Sequence, residues 1–437
     1  MGGKRNRVSN RLSGETRRVL KATRFLGVAG WGTIVLGWCG GWVARGFTEP
    51  TPPNQDSWRQ NDVELAVRDG KIYGRGSTPY YSPPSLSPPE PPTLKLMRYL
   101  MNEYLDVWLE ILEAKKRGLS GKQIHPIFQK YQDQLDLDFA ETVSQWFHSQ
   151  LDSDEIEKNK DLAGILHDFA IDIQHFPLGS QVNNLEIAIV SYQAVLEFYT
   201  RPVYPEYWAR TQMNLANTYY KRIKGERSEN LEQAIYGYEA ALEVLTLRAY
   251  PEYWATTQNN LANTYKNRIK GERAENLERA ISCYRAALEV RTRSAYPEQW
   301  AMTQNNLANA YHDRIKGERA ENLERAISYY RAALEVRTRS AYPEQWAMTQ
   351  NNLANAYHDR IKGERAENLE QAIAGYEAAL EVHTRNVYPE QWAMTQMNLA
   401  VAYKKRIRGE HAENLERAIF YYEAALEVKT RRAYPED

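Results

Sequence analysis

Asparagine, histidine–aspartate and lysine recur at fixed intervals along the C-terminal part of this chain, and these side chains have chemistry to offer. One asparagine column, Asn214, Asn260, Asn306, Asn352 and Asn398, stands directly before a leucine. A second, Asn217, Asn263, Asn309 and Asn355, lies almost one helical turn further on and ends at Val401. A carboxamide both donates and accepts hydrogen bonds, so a ladder of them can hold an extended peptide backbone without reading its sequence. The first column is expected to tie helix to helix, and the second to face a ligand. Beside the second runs a strip of Tyr220, Lys266, His312, His358 and Lys404, followed respectively by Lys221, Asn267, Asp313, Asp359 and Lys405. Its basic ends suit a carboxylate or an acidic peptide segment. The two His-Asp dipeptides raise acid–base or metal chemistry. Neighbouring helical residues diverge by about 100°, however, and no cysteine or further histidine joins them. A solvated helix face copied by duplication is the plainer account. The candidate peptide-binding residues are therefore Asn217, Asn263, Asn309, Asn355, Lys221, Lys266, His312, His358, Lys404 and Lys405.

Catalytic chemistry finds little support. A thiol protease needs a cysteine with a histidine. Cys39 sits in an apolar segment, and Cys283 fills a slot held elsewhere by Gly237, Tyr329, Gly375 and Tyr421. Two distant thiols make neither a disulfide framework nor a zinc site. No glycine-rich phosphate loop or nucleophile elbow is present. The expectation is a non-enzymatic protein with no catalytic residues, no metal and no cofactor. Lys plus Arg and Asp plus Glu are both 56. This balance argues against a nucleic-acid partner, which calls for a basic excess. Hydrophobic residues at 43% and charged residues at 26% exclude a wholly disordered chain.

The elements that position these columns repeat. Tyr-Pro-Glu recurs at Tyr204, Tyr250, Tyr296, Tyr342, Tyr388 and Tyr434, always 46 residues apart, and Ser294 to Glu324 is identical to Ser340 to Glu370. A fixed period in this range means a solenoid of one supersecondary unit. Within one unit, Pro297 suits the first position of a helix. Trp300, Leu307, Ala308, Tyr311 and Ile315 then fall on one helical face, and Gly317 is expected to end that helix. Asn322 is expected to cap the next, whose stripe is Leu323, Ala326, Ile327, Tyr330, Ala333 and Leu334. Each unit is thus an antiparallel helix pair with a break at Gly225, Gly271, Gly317, Gly363 or Gly409. Six asparagines, Asn184, Asn230, Asn276, Asn322, Asn368 and Asn414, count six pairs. In the first, Phe169, Ala170 and Ile173 replace Leu, Ala and Tyr. The Lys-Gly-Glu-Arg loops, such as 316–319, are expected to form a salt-bridged solvent edge.

The run Asn306-Leu307-Ala308-Asn309-Ala310-Tyr311, then Asn322-Leu323-Glu324-Arg325-Ala326-Ile327, Tyr330 and Ala333-Leu334, resembles the tetratricopeptide repeat. That repeat has 34 residues. This unit is longer in the turn around Lys316 to Glu321 and in the connection around Arg337 to Tyr342. Over roughly residues 95–437 the chain more closely resembles a cyanobacterial-type family with this 46-residue unit, sharing the lead-in Phe176-Pro177-Leu178-Gly179. Some members of that family continue into a caspase-like peptidase domain of the CHAT type, which this sequence lacks. The resemblance implies an all-α, right-handed α-solenoid, a cytoplasmic location, and a scaffold that binds a protein or peptide segment on its concave face. An alternative is a regulatory subunit of a separately encoded CHAT-type peptidase or other effector.

The remaining chain divides into a basic leader (1–24), a candidate membrane segment (25–44), a Pro-rich linker (45–92) and a helical cap domain (93–160), ahead of the solenoid (161–437). Residues 25–44 carry no charge and are long enough to span a bilayer, but six are glycine. A single-pass tether through them is the alternative to a cytoplasmic solenoid. The last helix, with Ala418, Tyr422, Ala425 and Leu426, has no polar cap after it, which suggests self-association or a partner at that end.

Overall fold

The computed structural model describes the backbone of residues 66–68, 71–73 and 92–428, and side chains from Glu103 onward. Toward the N-terminus, β1 (Ala66–Arg68) and β2 (Lys71–Tyr73) pair antiparallel with Val67 opposite Ile72. Asp69-Gly70 between them is a hairpin-turn sequence, a local signal inside the stretch expected to be linker. The leader and the segment 25–44 lie outside the described residues. Among the described residues, no helix is long and apolar enough to cross a membrane.

From Pro92 onward the described chain is all-α. Helices α1 (Pro92–Lys116), α2 (His125–Lys130) and α3 (Leu137–Gln150) lead into six antiparallel pairs. The pairs are α4 (Ile156–Gln174) with α5 (Gln181–Phe198), α6 (Pro205–Lys221) with α7 (Arg227–Leu242), and α8 (Pro251–Asn267) with α9 (Arg273–Val290). Then come α10 (Pro297–His312) with α11 (Arg319–Leu334), α12 (Pro343–Asp359) with α13 (Arg365–Leu380), and α14 (Pro389–Lys404) with α15 (His411–Leu426). The first pair thus starts at Ile156, slightly ahead of the expected solenoid boundary. Its Phe169 sits 5.1 Å from Trp108 of α1 and 5.9 Å from Phe128 of α2, ring centre to ring centre. This explains the departure from the repeat pattern, because α4 packs an aromatic core with α1 and α2 where later first helices meet a preceding pair.

Proline occupies the start of each first helix from α6 to α14. Its missing N–H costs nothing there. The two apolar stripes then interlock: Leu307, Ala308 and Tyr311 of α10 and Leu323, Ala326 and Ala333 of α11 are fully buried. Small residues set the approach distance, and a Cβ added at Gly375 would lie 2.9 Å from that of Ala354. First helices of neighbouring pairs touch one another, whereas each second helix packs chiefly against the first helices on either side of it. The first helices therefore form one continuous face of the array.

Three local expectations are corrected. Helix α10 ends at His312, and Gly317 serves the turn beyond it with φ at +76°. Ile315 lies in that turn and is 60% exposed, so it does not join the buried face, and Trp300 is only half-buried. Asn322 does not cap α11, which starts earlier, at Arg319 behind Glu318. Its side chain is buried in the first turn, donating to the Lys316 carbonyl at 2.9 Å and accepting from Arg314 at 3.2 Å. Asn322 thus pins the left-handed loop to the helix that follows. The same Asn-to-carbonyl bond recurs at Asn230, Asn276, Asn368 and Asn414.

Pairs are also clamped across their boundaries by ions. Arg268, Arg314, Arg360 and Arg406 each make a two-pronged bond to Glu232, Glu278, Glu324 and Glu370 of the preceding second helix, at 2.7–2.9 Å. Arg222 grips Glu186 in the same way at 2.6 and 2.7 Å. In the loops, Lys270, Lys316 and Lys362 reach Glu229, Glu275 and Glu321, as expected of a salt-bridged edge.

Candidate functional site

The second asparagine column lines the first-helix face, and each member is half-buried. Its geometry is set by a tyrosine from the second helix of the same pair. Tyr238, Tyr284, Tyr330 and Tyr376 donate their hydroxyls to the carboxamide oxygens of Asn217, Asn263, Asn309 and Asn355 at 2.5–2.6 Å. These tyrosines are at most 2% exposed, so their hydroxyls need that acceptor. The bond turns each carboxamide so that its NH₂ remains to donate elsewhere. The sequence holds both partners at a constant spacing of 21 residues, a signal that repeat-to-repeat comparison alone does not bring out.

The first column does tie helix to helix. Asn260 donates to Asn217 at 2.9 Å and Asn306 to Asn263 at 3.4 Å, each across a pair boundary. Asn352 and Asn398 instead reach Asn305 and Asn351, both at 3.3 Å. These buried asparagines went unremarked in the sequence pattern. Near the start of the array the face deepens into a cleft of about 350 Å³, bordered by Gln174, Asn217, Tyr220, Lys221, Asn260 and Asn263. Three expected binding residues, Asn217, Asn263 and Lys221, therefore share one cleft. Asn309, Asn355, His312, His358, Lys404 and Lys405 are set out along the face beyond it.

The strip next to the asparagines forms its own ladder, with steps that join one pair to the next as far as His312 and Asp359. Asn267 donates to the Tyr220 hydroxyl at 2.6 Å. Lys266 is pushed down in pKa by burial, against the pull of Asp313. His312 lies 3.1 Å from Asp359 of the next pair and 3.3 Å from its own neighbour Asp313. Burial opposes a charge on that ring, but the two carboxylates outweigh it and raise its pKa to about 9. The carboxyl of Asp359 is held well below its usual range by bonds to His312 and His358, against burial. The divergence of adjacent helical residues is thus bridged by the neighbouring repeat. Among the described residues, no group of three or more His, Cys, Asp or Glu side chains is placed to hold a metal ion. Burial raises the Cys283 thiol to about 11, where the reactive thiolate is scarce at neutral pH.

Repeated helix pairs with one polar, amide-lined face define a helical repeat array. A family model described as the tetratricopeptide repeat matches residues 208–244, 254–292, 300–339 and 346–385, so the chain carries four tetratricopeptide repeats. Among solved structures it is similar to BtubC (BKLC) from P. vanneervenii, at 21% identity over 59% of this chain and 92% of that one, with a TM-score of 0.42. It is also similar to a signal transduction ATPase with numerous domains and a tetratricopeptide repeat sensor from Pyrococcus horikoshii. There the identity is 15% over 78% of this chain and 50% of that one, with a TM-score of 0.47. The apo form of RapI is matched over its whole length and 77% of this chain, at 15% identity and a TM-score of 0.44. No curated protein sequence matches the chain.

Proposed function

We propose that the chain is a protein-interaction scaffold that holds an extended or helical protein segment along its first-helix face. The observation that carries this reading is the row of tyrosine-oriented asparagines opening into the cleft at Asn217 and Asn263. Stacked repeats offer an elongated surface of near-identical side chains. Such a surface suits a backbone, whose donors and acceptors also recur. Each asparagine NH₂ can donate to a peptide carbonyl, a bond worth a net ~0.5–1.5 kcal/mol. Single changes should weaken binding only several-fold.

A partner captured with the full chain and then purified provides the test. Removing the column by alanine would strip the buried tyrosines of their acceptor. Asn→Asp keeps the accepting oxygen and deletes the donor, so it is the cleaner change. The triple change Asn263→Asp, Asn309→Asp, Asn355→Asp should cost roughly 2–4 kcal/mol of binding, if the contributions add, with the helical array intact. Unchanged affinity would move the binding surface elsewhere.

A further inference from the structure

The ladder beside the asparagines fails at its last step. Asp359 sits among three basic groups: His312 at 3.1 Å, His358 at 2.9 Å and Arg319 at 3.8 Å. One repeat further on, the same places are taken by His358, Lys404 and Arg365, and the carboxylate's own place by Lys405. The carboxylate is missing there and a fourth basic residue has replaced it. The consequence is visible at His358. Its Nδ1–H donates to Asp359, while its Nε2 is buried and meets no hydrogen-bond partner among the described residues. Lys404 and Lys405 are exposed. Arg365 bonds the His358 backbone carbonyl, the contact Arg319 makes to His312. Buried polar atoms are normally paired, and within this chain the partner that satisfies the equivalent nitrogen of His312 is a carboxylate.

We infer that the step formed by His358, Arg365, Lys404 and Lys405 is a seat for a carboxylate side chain of the bound protein segment, which takes the place that Asp359 holds one repeat earlier. This inference rests on the scaffold reading and adds the chemistry of the partner: an aspartate or glutamate must fall opposite the junction between the α12/α13 and α14/α15 pairs. The ring bonds Asp359 on its own helix, Arg365 of α13 bonds the backbone carbonyl of the same residue, and Lys404 and Lys405 hold at the end of α14 the repeat positions that His358 and Asp359 hold at the end of α12. With a ligand carboxylate in place, the buried Nε2 of His358 gains the partner that Asp359 gives the equivalent nitrogen of His312. Val401 replaces the column asparagine at this step, so an apolar side chain near the carboxylate would be tolerated.

The probe is an N-acetylated, C-amidated hexaglutamate carrying fluorescein, titrated against the full chain by anisotropy and followed by ¹⁵N resonances of the histidine rings. Binding should shift the ring-nitrogen resonances of His358 and leave those of the other histidines unchanged. Lys405→Asp supplies the missing carboxylate from within. It should weaken the probe by roughly tenfold or more, since an internal carboxylate then competes for the same charge-assisted bonds. No binding at millimolar probe, or binding indifferent to Lys405→Asp with a silent His358, would overturn the inference. A captured partner that loses affinity with Asn263→Asp but not with Lys405→Asp would refute the seat and leave the scaffold reading standing.

Discussion

Deleting the acceptor of a buried tyrosine should destabilise this array more than deleting the tyrosine's own hydroxyl. Tyr330 is 2% exposed and donates to Asn309 at 2.6 Å. Asn309→Ala leaves that hydroxyl buried without a partner, at a cost of ~1–3 kcal/mol. Tyr330→Phe removes the hydroxyl itself. The half-buried carboxamide it leaves can turn to water, so the loss is about the net worth of one bond, ~0.5–1.5 kcal/mol. In the double variant nothing is left stranded. It should therefore be more stable than the sum of the single losses by ~1 kcal/mol or more. A repeat array couples mainly neighbours, so a single unfolding midpoint would blur the effect. Native-state hydrogen exchange at the amides of α10 and α11 reads it locally. Strictly additive losses, or Tyr330→Phe costing more than Asn309→Ala, would refute the claim that the tyrosine fixes the asparagine and depends on it.

Two further outcomes follow from burial and charge. The folded pKa of His312, about 9, lies above its ordinary value of 6.5, so its contribution is fully present below pH ~6.5 and lost as pH rises through about 9. With the ring one-fifth exposed, the loss should be ~1–3 kcal/mol. His312→Gln should flatten stability across that window, measured by urea titration, and an unchanged slope would contradict the assignment. Tyr311→Ala, at a fully buried site, should cost ~3–5 kcal/mol. Trp300→Ala should cost about half as much because that ring is only half-buried. Equal losses in thermal or chemical melts would show that Trp300 is better packed than its position indicates.

Periodicity made the architecture legible. A constant 46-residue interval, proline at each helix start and two apolar–alanine stripes require paired helices whatever the side-chain details, because one pair cannot bury its stripes alone. The same periodicity located the asparagine and histidine columns and marked the first asparagine column as one that ties helix to helix. It could not say what each column touches. Asn322 has the sequence position of a cap, but its neighbours in space are the Lys316 carbonyl and Arg314, because the helix begins earlier than the apolar stripe. Ile315 keeps helical spacing with Tyr311 yet lies exposed, because the turn intervenes first. Phe169 departs from the repeat for a reason found only in its contacts with Trp108 and Phe128. Bonds between pairs, such as Arg360 to Glu324 and His312 to Asp359, depend on how one unit is set against the next. The chain's residue order fixes what each repeat contains, whereas the stacking of repeats decides which nitrogen faces which carboxylate, and where, at His358, none does.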